Sequence, residues 1–135
     1  MKKLTTVPLV LAAACFGATS AFADISGEHS SSGTCSNSNS TQCWLEIKKS
    51  ATGYRVKHVV ADRQDGRKIL CATSFSVEPH VSTIHGQKSY LGKLNGDSVF
   101  IRAFDHGRID LYPGAKTKVI CGKYSFMGSY SEIGD

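Results

Sequence analysis

The chain has 135 residues, 41% of them hydrophobic, and carries 16 Lys and Arg against 11 Asp and Glu, a net charge of +5. That length suits one domain with a modest core rather than several. Its basic residues (Lys48, Lys49, Arg55, Lys57, Arg63, Arg67, Lys68) are interleaved with Glu46, Asp62 and Asp65, so no dense positive stripe points to nucleic acid.

Residues 1–23 predict a secretory signal peptide. Lys2 and Lys3 form a positive start, Val7 to Phe16 an apolar run broken only by Pro8, and Ala21-Phe22-Ala23 a small-x-small cleavage site before Asp24. The apolar run is about ten residues, where a membrane-spanning helix needs roughly 20, and no later segment is as apolar. Cleavage leaves a mature chain of 112 residues with a net charge of +3. The Lys-Lys start and compact signal indicate a bacterial periplasm or the cell exterior. Leu11-Ala-Ala-Ala-Cys15 loosely resembles a bacterial lipoprotein signal, which would imply lipidation at Cys15; Ala12 stands where that signal carries a large aliphatic residue.

Once Cys15 leaves with the signal, Cys35, Cys43, Cys71 and Cys121 remain. In a small exported domain they predict two disulfides, with three possible connectivities. Cys35–Cys43 would close a polar segment with nothing apolar to hold it, and Cys71–Cys121 would tie the middle of the domain to its end. No C-x-x-C pair occurs, so neither a metal nor another cofactor is expected.

From Asp24 to Gln42 the chain is mostly Ser, Gly, Asn and Thr, with Ile25 its apolar exception, which predicts a flexible leader. Asn39-Ser-Thr41 there matches a glycosylation sequon, a chance product of an Asn/Ser-rich stretch. From Cys43 to Asp135 strand follows strand. Cys43 to Lys49 alternates, Ser50 to Gly53 turns, and Tyr54 to Asp62 is rich in valine. Asp65-Gly66 is a hairpin signal. Lys68 to Val77 follows, with Ile69, Cys71, Thr73, Phe75 and Val77 on one face. Glu78 to Lys88 reads as a long loop.

Tyr90 to Leu94, Ser98 to Phe104, Arg108 to Tyr112 and Thr117 to Cys121 are further strands, with turns at Asn95-Gly96-Asp97, Asp105-His106-Gly107 and Pro113-Gly114. No stretch keeps a 3.6-residue apolar period, so little helix is expected. The elements predict an all-β fold, a small antiparallel meander closing into a barrel or sandwich and stapled by disulfides. Pairing across the two turns places Leu45 and Cys71 opposite Val59, on the core face. Charges at Lys57, Lys68, Lys93, Arg102 and Asp110 argue against a barrel embedded in lipid.

The chemistry-bearing stretch is the loop from Glu78 to Lys88. His80, His85 and Lys88, with Tyr90 just after them, are the candidate binding residues, and a long loop on a compact barrel suits recognition. The five-residue spacing of the histidines fits no zincin pattern, and no G-x-S-x-G, H-E-x-x-H, Walker or G-x-G-x-x-G motif occurs, so no catalytic residue is assigned. His58, opposite Val59 in facing, and His106 in a turn read as surface histidines. The tail from Gly122 to Tyr130 interleaves aromatics with glycine, which suits closure of a barrel end better than a sugar platform.

A signal, about 110 mature residues, an all-β body and a disulfide are together similar in outline to periplasmic lysozyme inhibitors, although no inhibitor motif occurs at specific positions. The expectation is therefore an exported, non-enzymatic binding protein of the bacterial envelope with a protein partner, an inhibitor of a lysozyme-like hydrolase being one form. An immunity or host-directed virulence protein is the second reading, and a small secreted hydrolase using His80 or His85 the third.

Overall fold

A computed structural model describes residues 22–31, 40–81, 88–113, 121, 124 and 128–133. Eight strands run in chain order: β1 (Gly27–Ser31), β2 (Thr41–Lys49), β3 (Tyr54–Asp62), β4 (Ile69–Val81), β5 (Lys88–Leu94), β6 (Asp97–Ala103), β7 (Arg108–Pro113) and β8 (Gly128–Glu132). Each pairs antiparallel with the next and β8 returns to β1, so the meander is a closed barrel. Among the described residues there is no α-helix, and none therefore is long and apolar enough to cross a membrane.

Alternation explains which side chains fill it. Cys43, Leu45 and Ile47 of β2, Tyr54, Val56 and Val60 of β3, Val99 and Ile101 of β6, and Ile109 and Leu111 of β7 join one buried cluster. Most of their alternate neighbours are exposed or half-buried, as a period of two requires, with Val59, Ala61 and Asp110 the buried exceptions. Between β5 and β6 the chain reverses on Asn95 and Gly96, both at positive φ (52° and 81°), the conformation for which an Asn-Gly hairpin is suited. Gly92 of β5 faces inward, where a Cβ would collide with the Ser76 carbonyl oxygen; lack of a side chain lets the wall bend there.

Four expectations change. First, part of the stretch read as a leader is strand. Gly27–Ser31 pairs with β2 on one side and β8 on the other, and Thr41 and Gln42 already belong to β2. Closure supplies two backbone partners to a strand with no apolar alternation of its own, while Ile25 (1% exposed) and His29 turn inward. His29 Nε2–H donates to the Ile25 carbonyl at 2.9 Å.

Second, the register is one residue away from expectation. Leu45 lies opposite His58 and Cys71 opposite Val60. A slip of one residue exchanges the faces, so His58 is an interior residue, fully buried, and not a surface histidine. Its ring stands edge-on to Tyr130 at 6.5 Å. The register then shifts between Val60 and Ala61, which leaves Ile69 half exposed instead of on the core face.

Third, Glu78 to Val81 is not loop. It continues β4 and pairs with Lys88 to Leu91 of β5. Pairing with β3 stops at Tyr54–Val77, so one backbone rim of β4 lies open beyond Val77 among the described residues, and Pro79, which has no N–H to give, is accommodated there. Residues 82–87 lie outside the described residues.

Fourth, the aromatic tail contributes the closing strand. Tyr130 of β8 is 1% exposed in the core, and Tyr124 packs against the core from an isolated bridge with Cys121. The predicted strand over 117–121 falls outside the described residues except at Cys121. Cys71 and Cys121 form a disulfide with Cα atoms 5.7 Å apart. The expected Cys35–Cys43 bridge lies outside the described residues at Cys35; Cys43 is buried in β2.

The 50-residue separation of Cys71 and Cys121 makes this bridge worth about 4 kcal/mol by chain entropy. Cys71→Ser with Cys121→Ser should therefore lower unfolding stability by about 2–4 kcal/mol in urea titrations, as should reductant on the native protein. Burial holds His58 neutral and lowers its pKa to about 4. The unfolded chain takes up that proton near pH 6.5, so stability falls as pH drops from about 6.5 to 4, by roughly 3 kcal/mol at most. His58→Leu should flatten the melting temperature across that window; an unchanged slope would show that His58 is not the group responsible.

Candidate functional site

The outward positions of β6 and β7 carry a set of charged and aromatic side chains. Register aligns Phe100 with Tyr112 and Arg102 with Asp110 across the two strands. Beyond them, a single 3-10 turn at Asp105–Gly107 reverses the chain, with His106 (φ 65°) and Gly107 (φ 75°) both left-handed. The Phe104 N–H donates to the Arg108 carbonyl at 2.8 Å, closing the hairpin. This brings Arg102, Phe104 and Arg108 together. The Arg102 guanidinium carbon lies 4.9 Å from the Phe104 ring centre and that of Arg108 4.5 Å, so two guanidinium groups share one ring.

Asp110 anchors this face. It is 8% exposed and receives four hydrogen bonds. Arg108 donates from Nε to Oδ1 (3.1 Å) and from Nη2 to Oδ2 (3.0 Å), a bidentate pair. The Tyr112 hydroxyl donates to Oδ2 (3.0 Å) and the Ser129 hydroxyl, across the β7–β8 ladder, to Oδ1 (2.6 Å). The Arg108 hydrogen bond, reinforced by both hydroxyls and opposed by burial, lowers the Asp110 pKa to about 2. Burial and the bond to Asp110 push the Tyr112 phenol up. Arg108 is thus held through two of its donors, while about half of its side chain (51%) stays exposed.

The residues singled out from sequence fall into two places. His80, on the final turnless stretch of β4, puts its ring 6.1 Å from Phe100 and so borders the β6–β7 face. Tyr90 and Lys88 sit instead at one mouth of the barrel. Tyr90 is 3% exposed and edge-on to Tyr54, and Lys88 Nζ lies 5.5 Å from the Phe22 ring centre. His85 lies outside the described residues. Arg102, Phe104, Arg108, Asp110 and Tyr112 were not singled out, although Arg108-Ile-Asp-Leu-Tyr112 alternates polar or aromatic with aliphatic; their meeting needed the β6–β7 register.

A groove of about 320 Å³ on the outer side of β1 and β2 is lined in part by Glu28, Trp44 and Arg63. There the Trp44 indole N–H already donates to Glu46 at 2.8 Å. Among the described residues no group of three or more His, Cys, Asp or Glu could hold a metal ion. A scan against protein-family models and searches of curated proteins and of solved structures find no match to the chain.

Asp110→Asn should cost about 1–2 kcal/mol after allowance for solvent screening of Arg108. The sign is fixed by the lowered pKa: this stabilisation is present above pH 3.8 and is lost as pH falls toward 2. Urea midpoints of the two proteins should therefore differ at pH 6 and converge near pH 2.

Proposed function

We propose that this chain is an exported, non-enzymatic binding protein of the bacterial envelope that grips a protein partner with the outer face of β6 and β7. The Arg102–Phe104–Arg108 stack, with Arg108 held by Asp110, is the observation that carries this reading. Arginine and aromatic side chains are the residue types that dominate interface energetics. A side chain already fixed by its neighbours also loses little freedom on binding, which favours affinity.

The face implies a partner that offers carboxylates beside an apolar surface. A lysozyme-like hydrolase fits that description, since its cleft works with a pair of carboxyl groups, and guanidinium is the donor best matched to carboxylate. An inhibitor of such an enzyme is the form of the proposal to test first.

Protein purified from the exported fraction should slow lysis of peptidoglycan by at least one class of lysozyme at micromolar concentration. Arg102→Ala and Arg108→Ala should each weaken the effect about tenfold or more, and raised salt should weaken it further. Failure to slow any lysozyme class would remove the inhibitor form. Capture of the same partner by wild type and by the double arginine variant would remove the β6–β7 face as the binding surface.

A further inference from the structure

At one mouth of the barrel, residues 22–25 lie across the entrance ahead of β1. Phe22 packs on Tyr90 with ring centroids 5.7 Å apart, and Lys88 Nζ lies 5.5 Å from the Phe22 ring centre. The Tyr90 hydroxyl donates to the Ala23 carbonyl, and the Tyr90 ring stands edge-on to Tyr54 at 5.1 Å. Phe22 and Ala23 therefore occupy a built seat: an aromatic wall, an ammonium group and a hydroxyl donor.

Asp24 is held separately. Its Oδ1 accepts from the Ser26 N–H (2.9 Å), the Ser26 hydroxyl (2.8 Å) and the Tyr54 hydroxyl (3.1 Å), and its Oδ2 pairs with Lys49 at 3.1 Å. Ile25 beside it is 1% exposed in the core. Every one of these partners lies on the C-terminal side of Ala23.

Cleavage between Ala23 and Asp24 hydrolyses that amide. Water supplies the hydroxyl that makes Ala23 a carboxylic acid and the proton that makes Asp24 an amine, and at neutral pH the two ends are carboxylate and ammonium. Phe22 and Ala23 then lose their covalent tether, while Asp24 keeps its contacts. The seat they leave holds Tyr90, Lys88 and, one bond from the former Ala23 carbonyl carbon, the new α-ammonium of Asp24.

We infer that the mature protein carries at this mouth a binding site for a peptide C-terminus whose penultimate residue is aromatic. The ring lies between Tyr90 and Lys88, and the terminal carboxylate takes the Tyr90 hydroxyl and the Asp24 ammonium. The segment seated there before cleavage, Phe22-Ala23, has the ligand's own chemistry. This inference rests on the export reading with cleavage after Ala23 and is independent of the β6–β7 face.

The test starts from the mass of the exported protein and then titrates that protein with the tripeptide Ala-Phe-Ala, its C-terminal amide and Ala-Ala-Ala, followed by NMR. A mass matching residues 24–135, with saturable binding of Ala-Phe-Ala at least tenfold stronger than of either control, supports the site. Tyr90→Phe, which keeps the ring and its packing, should weaken binding about tenfold with no fall in melting temperature. With the same mass, no saturation or no preference for the aromatic acid overturns the site and leaves the export reading standing. A product that retains Phe22 overturns both the cleavage position and the site, because the seat is then never vacated.

Discussion

Between β1 and β8 three residue pairs, His29–Glu132, Ser30–Ser131 and Ser31–Tyr130, join the two ends of the meander, and the Ile133 N–H donates to the Glu28 carbonyl at 2.9 Å beside them. Closure of the wall passes through this seam. A strand as polar as Gly-Glu-His-Ser-Ser has little apolar surface of its own to bury, and it is held because backbone partners stand on both sides. The interior depends on the same seam, since Tyr130 enters the core from β8 and His29 turns inward from β1. The disulfide acts on this region as well, tying β4 to Cys121 in the segment that leads toward β8.

Much of the wall was legible in the sequence where local chemistry is unambiguous. The bounds of β3 and the Asn95-Gly96 reversal follow directly from valine content and turn chemistry. β1 was not legible, because nothing in its composition distinguishes it from a polar linker; its strand character comes from neighbours remote in the chain. The face of β3 was ambiguous for a different reason. Val56, Val59 and Val60 occupy both parities, so alternation alone cannot say which side is inward, and the four-residue turn at 50–53 decides it. His58 followed the wrong parity into a surface reading for that reason alone.

The candidate site divides in the same way. Arg108, Asp110 and Tyr112 share one face by simple alternation, which is readable along a single strand. The sharing of the Phe104 ring by Arg102 and Arg108 depends on how β6 and β7 align, and the Ser129 contact on how β8 aligns with β7. No motif spans such a set. His80 in the expected loop and Tyr90 just after it, ten residues apart, were grouped as binding residues, yet β4 and β5 direct them to the outer wall and to the barrel mouth.

Pro79 has a consequence for how the open end of β4 meets other chains. Past Val77 the end of β4 keeps one backbone rim without a ladder partner among the described residues, and such a rim invites a foreign strand to add on. An imino acid placed there breaks the run of donors that a docking strand would have to match. The residue that the open rim accommodates thus also removes a donor from it, which disfavours strand addition at that edge.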